Sequence, residues 1–118
     1  MLSFSSRQRY YLYMEPTDMR KQFDGLAGVV GREFQEAEVM SGDVFIFLNR
    51  RRDRIKLLMW DVTGFALYYK RLESGTFEVP LVRAGENTAE LAWSELVLLL
   101  EGIEMKSIKR RKRYRQRA

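Results

Sequence analysis

The chain has 118 residues, a formal net charge of +5, and neither histidine nor cysteine. That length suits one domain with a modest core, and the missing residue types exclude disulfides, thiolate nucleophiles, imidazole bases and zinc sites of the usual kind. Enzymatic chemistry is left only to carboxylates, hydroxyls, lysines and oxygen-bound magnesium. The longest purely apolar run is Leu96 to Leu100, and the N-terminus "MLSFSSRQRYYLYM" has no long apolar stretch after a basic start. Neither a spanning helix nor a signal peptide is expected, which implies a cytoplasmic protein.

In chain order, "RYYLYM" (Arg9 to Met14) reads as a tyrosine-rich strand. Pro16, Thr17 and Asp18 then form a helix start, with Met19, Phe23, Leu26, Ala27, Val30 and Phe34 recurring at helical spacing as one buried face. Gly25, Gly28 and Gly31 lie within it, each costing a helix about 1 kcal/mol relative to alanine. Close backbone packing on a sheet, a kink or an early helix end could each account for them. Three strands follow: Asp43 to Leu48, Arg54 to Trp60, and Phe65 to Arg71. The first two are joined by a hairpin loop at Asn49 to Asp53, the last two by the turn "DVTG".

Alternation places Val44, Ile46 and Leu48 on one face and Phe45 and Phe47 on the other; Ile55, Leu57 and Met59 likewise oppose Leu58 and Trp60. Both faces therefore need cover. Phe77 to Val82 suggests a short edge strand broken at Pro80, and Asn87 with Glu90 resembles a capping box for a helix running to about Glu101, closed by Gly102. The expected fold class is α+β. An antiparallel meander packs against an N-terminal amphipathic helix and a C-terminal helix in a domain over residues 1–105.

Residues 106–118, "KSIKRRKRYRQRA", carry eight basic residues and no acid, whereas the remaining 13 basic residues face all 16 acidic ones for a net of −3. Such a tail is expected to be disordered until a polyanion neutralises it. Lys109, Arg110, Arg111, Lys112, Arg113, Arg115 and Arg117 are candidate nucleic-acid contacts, with Tyr114 a face for base stacking. A merely solubilising extension or a membrane-surface contact are the alternatives; no apolar face accompanies the charge, as membrane anchoring requires.

Arg50, Arg51 and Arg52 fall at the hairpin tip, with Arg54 and Lys56 just beyond. Charges at turns stay wet and discourage edge association, which is the plain reading. Four arginines in five positions nevertheless repel one another, and a phosphate relieves that repulsion; a two-stranded ribbon also fits a DNA major groove. Asp43, Asp61 and Glu73 could be imagined as a magnesium-binding triad, but each sits in a turn-like setting that explains it. No catalytic residue, metal or cofactor is assigned. Trp60, Tyr68 and Tyr69 read as core aromatics, with an exposed base-stacking row as the alternative.

The blocks "PTDMRKQFDGLAGVV" and "SGDVFIFLNRRRDRIKLLMWDVTGFALYYKRLESGTFEVP" resemble the TnpB, or second-open-reading-frame, accessory proteins of the insertion-sequence group numbered sixty-six, a group of bacterial mobile elements. These are unrelated to the RNA-guided nuclease sharing that name. The likeness covers residues 4–80, and "LLLEGIEMK" and "RRKRYR" resemble the family's ending; Met59 and Ala66 are minor departures. The resemblance implies a non-catalytic helper of transposition, with the element-encoded transposase and another accessory protein as partners. It assigns no binding residue. Two readings follow: a DNA-binding accessory protein using tip and tail, or a subunit that docks on the transposase without touching DNA.

Overall fold

Residues Val44–Leu48, with the sequence VFIFL, present apolar side chains to both sides of a strand, and such a strand is stable only when covered on both faces. A computed structural model, which describes residues 4–34, 38–79 and 86–102, shows how that cover is built. Among the described residues the chain runs β1 (Tyr10–Tyr13), α1 (Phe23–Glu33), β2 (Val44–Leu48), β3 (Arg54–Asp61), β4 (Gly64–Arg71), β5 (Thr88–Leu91) and α2 (Trp93–Glu101). The strands form one mixed sheet in the order β4-β3-β2-β1-β5, so the class is α+β.

The expected meander is β2-β3-β4, antiparallel throughout, with Ile46 opposite Leu57 and Leu57 opposite Tyr68. Alternation assigned its faces correctly. Val44, Ile46, Leu48, Ile55, Leu57 and Met59 join Tyr10, Leu12, Phe77, Leu91, Leu96 and Leu99 in the core beneath α2. Phe45, Phe47 and Leu58 meet Leu26, Val29, Val30 and Phe34 in a second core beneath α1. There the Phe45 ring stacks on Tyr11 with centroids 5.6 Å apart and meets Phe34 edge-on at 5.3 Å.

β1 pairs parallel with β2, and α1 carries the chain back between them. The N-terminus of α1 and the β2–β3 loop therefore share one end of the sheet. α2 ends there too, because Lys70 Nζ donates to the Leu100 carbonyl at 2.6 Å, a cation on a helix C-terminus, and Lys70 lies opposite Ile55 near the loop. Gly102 closes α2 at φ 74° in the left-handed conformation, as anticipated.

Three expectations require correction. The first helix begins at Phe23, not at Thr17 or Asp18, because the carbonyls of Met19 and Lys21, needed for a first turn, instead accept from Lys56 Nζ at 2.7 and 2.8 Å. Phe23 itself is 41% exposed rather than buried. The edge strand is not at Phe77 to Val82: Phe77 is a buried core residue outside any strand, and Pro80 to Val82 lie outside the described residues. Thr88–Leu91 fill that role instead, turning Ala89 and Leu91 toward the face shared with Leu12 and Tyr10, and α2 starts only at Trp93. Glu95, not Glu90, reaches back to cap it, its Oε1 accepting from the Ala92 amide at 2.8 Å. The expected tail, 106–118, lies outside the described residues, and among these no helix is long and apolar enough to cross a membrane.

The glycines of α1 are not explained by close packing on the sheet. A Cβ at Gly25 would meet only the Lys21 side chain, at 3.2 Å, and one at Gly31 would meet nothing within 4 Å. Gly31 is exposed and helical. Gly31→Ala should therefore raise unfolding stability by about 1 kcal/mol, read from a shift of the urea midpoint at constant slope; a loss of stability would mean that the glycine is required by the fold.

Candidate functional site

The β2–β3 loop is built by Asn49. Its Oδ1 accepts from the amides of Asp53 (3.1 Å) and Arg54 (3.0 Å), its Nδ2 donates to Asp53 Oδ1 (2.7 Å), and its carbonyl accepts from Arg52 N–H (3.1 Å). That last bond closes a turn with Arg50 and Arg51 at its centre, after which Arg52 adopts a left-handed φ of 58°. The Asn49 amide also holds the Asp53 carboxyl below the usual carboxylate range. Neighbouring segments brace the loop through its backbone. Thr17 N–H bonds Leu48 O (2.8 Å), Phe77 N–H bonds Arg52 O (2.6 Å) and Leu72 N–H bonds Asp53 O (2.8 Å).

With the backbone fixed, Arg50, Arg51 and Arg52 stand exposed, and their guanidinium groups make no ion pair or hydrogen bond among the described residues. Arg54 is half-buried and donates through Nη1 to the Tyr69 hydroxyl at 3.2 Å. Arg71 lies directly opposite Arg54 in the sheet, and Glu73 takes up its charge at 2.7 Å. The tip end of the sheet thus holds free and paired cations side by side.

Lys56 does not belong to this exposed set. It is 1% exposed, with its ammonium on the Met19 and Lys21 carbonyls and 4.8 Å from the centroid of the Tyr69 ring. Those bonds hold the 17–21 segment against β3, so that segment and the tip become the two walls of an open groove of about 510 Å³. Four arginines (Arg20, Arg50, Arg51 and Arg54) and two aspartates (Asp18 and Asp53) line it, a surplus of two positive charges, with Tyr69 also in the lining. Arg20, unmarked by the sequence pattern, grips Asp18 with Nη2 to Oδ2 at 2.7 Å, which lowers the Asp18 carboxyl to about 2. The Arg20 side chain is 92% exposed, so this pair adds little to stability and is open to competition from an incoming anion.

The aromatic residues divide. Tyr68 packs on the α2-side core, Trp60 is half-buried against Phe65 with ring centroids 5.0 Å apart, and Tyr69 is 48% exposed in the groove. The carboxylates imagined as a triad are separated along β3. Asp43 and Asp61 lie near one end, Glu73 beyond Arg71 at the other, and seven residue steps at ~3.3 Å span about 23 Å. Asp43 accepts from the Arg9 amide at 3.1 Å, the structural role its position suggested. No group of three or more potential metal ligands occurs among the described residues. Lys109, Arg110, Arg111, Lys112, Arg113, Arg115 and Arg117 lie outside them.

Against this geometry, the model of the family described as IS66 Orf2 like protein matches residues 8–110. The chain belongs to this family. It is 33% identical over 111 residues to the uncharacterized protein y4jC of Sinorhizobium fredii (strain NBRC 101917 / NGR234), covering 94% of this chain and 92% of the relative. It is 31% identical over 104 residues to the uncharacterized protein y4hO of the same strain, covering 88% of each. No solved structure matches. IS66 Orf2-like membership supports a role accessory to transposition, and the braced arginine tip lies inside the matched region.

The same geometry makes Lys56 the joint of the groove. Lys56→Met keeps most of the volume but leaves two carbonyls without their donor, at a cost of about 1–3 kcal/mol. The IS66 Orf2-like chain carrying it should show that loss in urea unfolding, together with faster amide exchange around residues 17–22. Unchanged exchange there would mean that the segment is held by other contacts.

Proposed function

We propose that the protein is a non-catalytic accessory factor of transposition that grips DNA through its arginine-bearing hairpin tip, assisted by the basic tail at 106–118. One observation carries the reading: three exposed arginines, unpaired among the described residues, on a turn whose backbone is bonded on both sides. Their mutual repulsion is relieved by phosphate, and the fixed backbone means that few degrees of freedom are lost on contact. Arg54 and the Arg20–Asp18 pair extend the positive surface into the groove. The tail adds to it, because the described chain ends at Gly102, one residue after α2, at the same end of the sheet.

A second reading, docking on the element's transposase, draws on α2. Trp93 and Val97, one helical turn apart, are 38% and 39% exposed and form an apolar strip on its outer surface. The two readings place contact on different parts of the molecule and separate by mutation.

Replacing Arg50, Arg51 and Arg52 together by alanine should alter stability by no more than about 0.5 kcal/mol. The same change should weaken binding to an arbitrary duplex and lower the salt slope of log affinity by up to about 2.7, from about 0.9 per phosphate. Deleting residues 106–118 should leave the fold intact and remove a further ~3.6 units of slope if about four phosphates are engaged. Unchanged affinity and slope in the triple variant would reduce the tip to a solvated turn. Normal DNA binding with lost transposition would instead transfer the arginines to a protein partner.

A further inference from the structure

Among the described residues Tyr69 is the one aromatic lining the groove, and its surroundings distinguish its two faces. Lys56 Nζ lies 4.8 Å from the ring centroid and Lys56 is 1% exposed, so the ring face toward it is the inner one. Tyr69 is nonetheless 48% exposed and lines the groove, so its accessible surface lies away from Lys56. Arg54 Nη1 bonds the hydroxyl at 3.2 Å and fixes the ring's edge, while β4 holds its backbone in the sheet opposite Lys56. A flat, anchored ring backed by a cation and flanked by arginines is a stacking platform.

The size of the groove selects what can reach that platform. At about 510 Å³ it holds a group the size of one nucleotide, and a paired duplex can touch only its rim. From these features we infer that the groove takes an unpaired nucleotide, from a single strand or an extrahelical position, whose base stacks on Tyr69 while the adjoining phosphates lie on Arg50 and Arg51. The recognition is tolerant of sequence, because every base presents a π face. It deepens the DNA-gripping reading and rests on it: the tip arginines supply attraction to any DNA, and Tyr69 supplies a preference for DNA that is locally opened. Asp18 and Asp53 do not oppose it strongly, since Arg20 and Asn49 already engage their carboxylates.

The test compares three fluorescent probes by anisotropy: a paired duplex, the same duplex with one extrahelical thymidine, and an oligothymidine strand. Wild-type protein should bind the second and third about tenfold more tightly than the first; Tyr69→Leu should abolish that preference, read as the ratio of affinities within the variant, and Tyr69→Phe should retain it. A probe with 5-iodouridine at the extrahelical position gives a readout that needs no variant: irradiation should crosslink it to the peptide containing Tyr69. Equal affinity for all probes, a preference untouched by Tyr69→Leu, or crosslinking elsewhere would overturn this inference alone, leaving the phosphate-gripping tip intact. Failure to bind any of the probes would overturn both.

Discussion

A single buried ammonium, that of Lys56, joins the two walls of the groove. Burying a cation without a carboxylate partner is costly unless its donors are satisfied, and here two carbonyls and a tyrosine ring do so. Those carbonyls belong to Met19 and Lys21, so the bonds that settle the lysine also deny α1 its first turn and leave 17–21 as a non-helical wall. The groove's shape is thus a consequence of how one charge is accommodated. Its position on β3, opposite Phe47 and Tyr69, fixes that wall relative to the sheet and to the tip arginines carried on the same hairpin.

The tip answers a second problem, that of holding like charges together. Arginines repel, and a loop free to move would spread them. Here the Asn49 side chain makes three bonds inside the loop, and three backbone amides from other segments bond to Leu48, Arg52 and Asp53. The left-handed conformation at Arg52, which glycine or asparagine would adopt more readily, persists because its carbonyl is bonded from Phe77, a residue with its ring in the α2-side core. Core packing on that face therefore constrains the position of a surface charge. Exposed side chains on a constrained backbone retain their own rotamer freedom but not the freedom of the loop.

Much of this frame was legible in the sequence because short apolar runs rich in β-branched and aromatic residues are bounded by turn residues, and a strand's two-residue period then sorts their side chains onto opposite faces. The meander, its two faces, the hairpin at Asn49 to Asp53 and the end of α2 at Gly102 all follow from local pattern. What escaped was non-local. Thr88 to Leu91 are short, and Asn87 with Glu90 imitates a helix start; only the open edge of β1 makes them a strand. Lys56 looked like one more basic residue of the tip because its neighbours are arginines, and nothing in its immediate sequence records that Met19 and Lys21 come within reach of its ammonium. Arg20 escaped for the same reason. Its relation to the tip depends on the parallel β1–β2 pairing, which no short stretch encodes. Tyr69, read with Tyr68 as a core aromatic, is instead 48% exposed beside a partly buried Tyr68, and the groove it lines left no local mark in the sequence.

The arrangement also gives the molecule a polarity. Strand β2 runs toward the tip, β1 runs parallel to it, and α2 ends beside Lys70, so the loop after β1, the β2–β3 tip and the exit of α2 gather at one end of the sheet. The far end carries Asp43 and Asp61. Outside residues 106–118 the chain has a net charge of −3, yet Arg50, Arg51, Arg52 and Arg54 sit together at the tip end, whereas Arg7 and Arg9 precede β1 at the other. An acidic body with cations gathered at one end turns that end toward a polyanion over distances of about a Debye length, roughly 8 Å at physiological salt. Under the DNA-gripping proposal, orientation is set by the distribution of charge before any side chain makes contact. The groove between Lys56's wall and the arginine tip, lying at that same end, is then presented first.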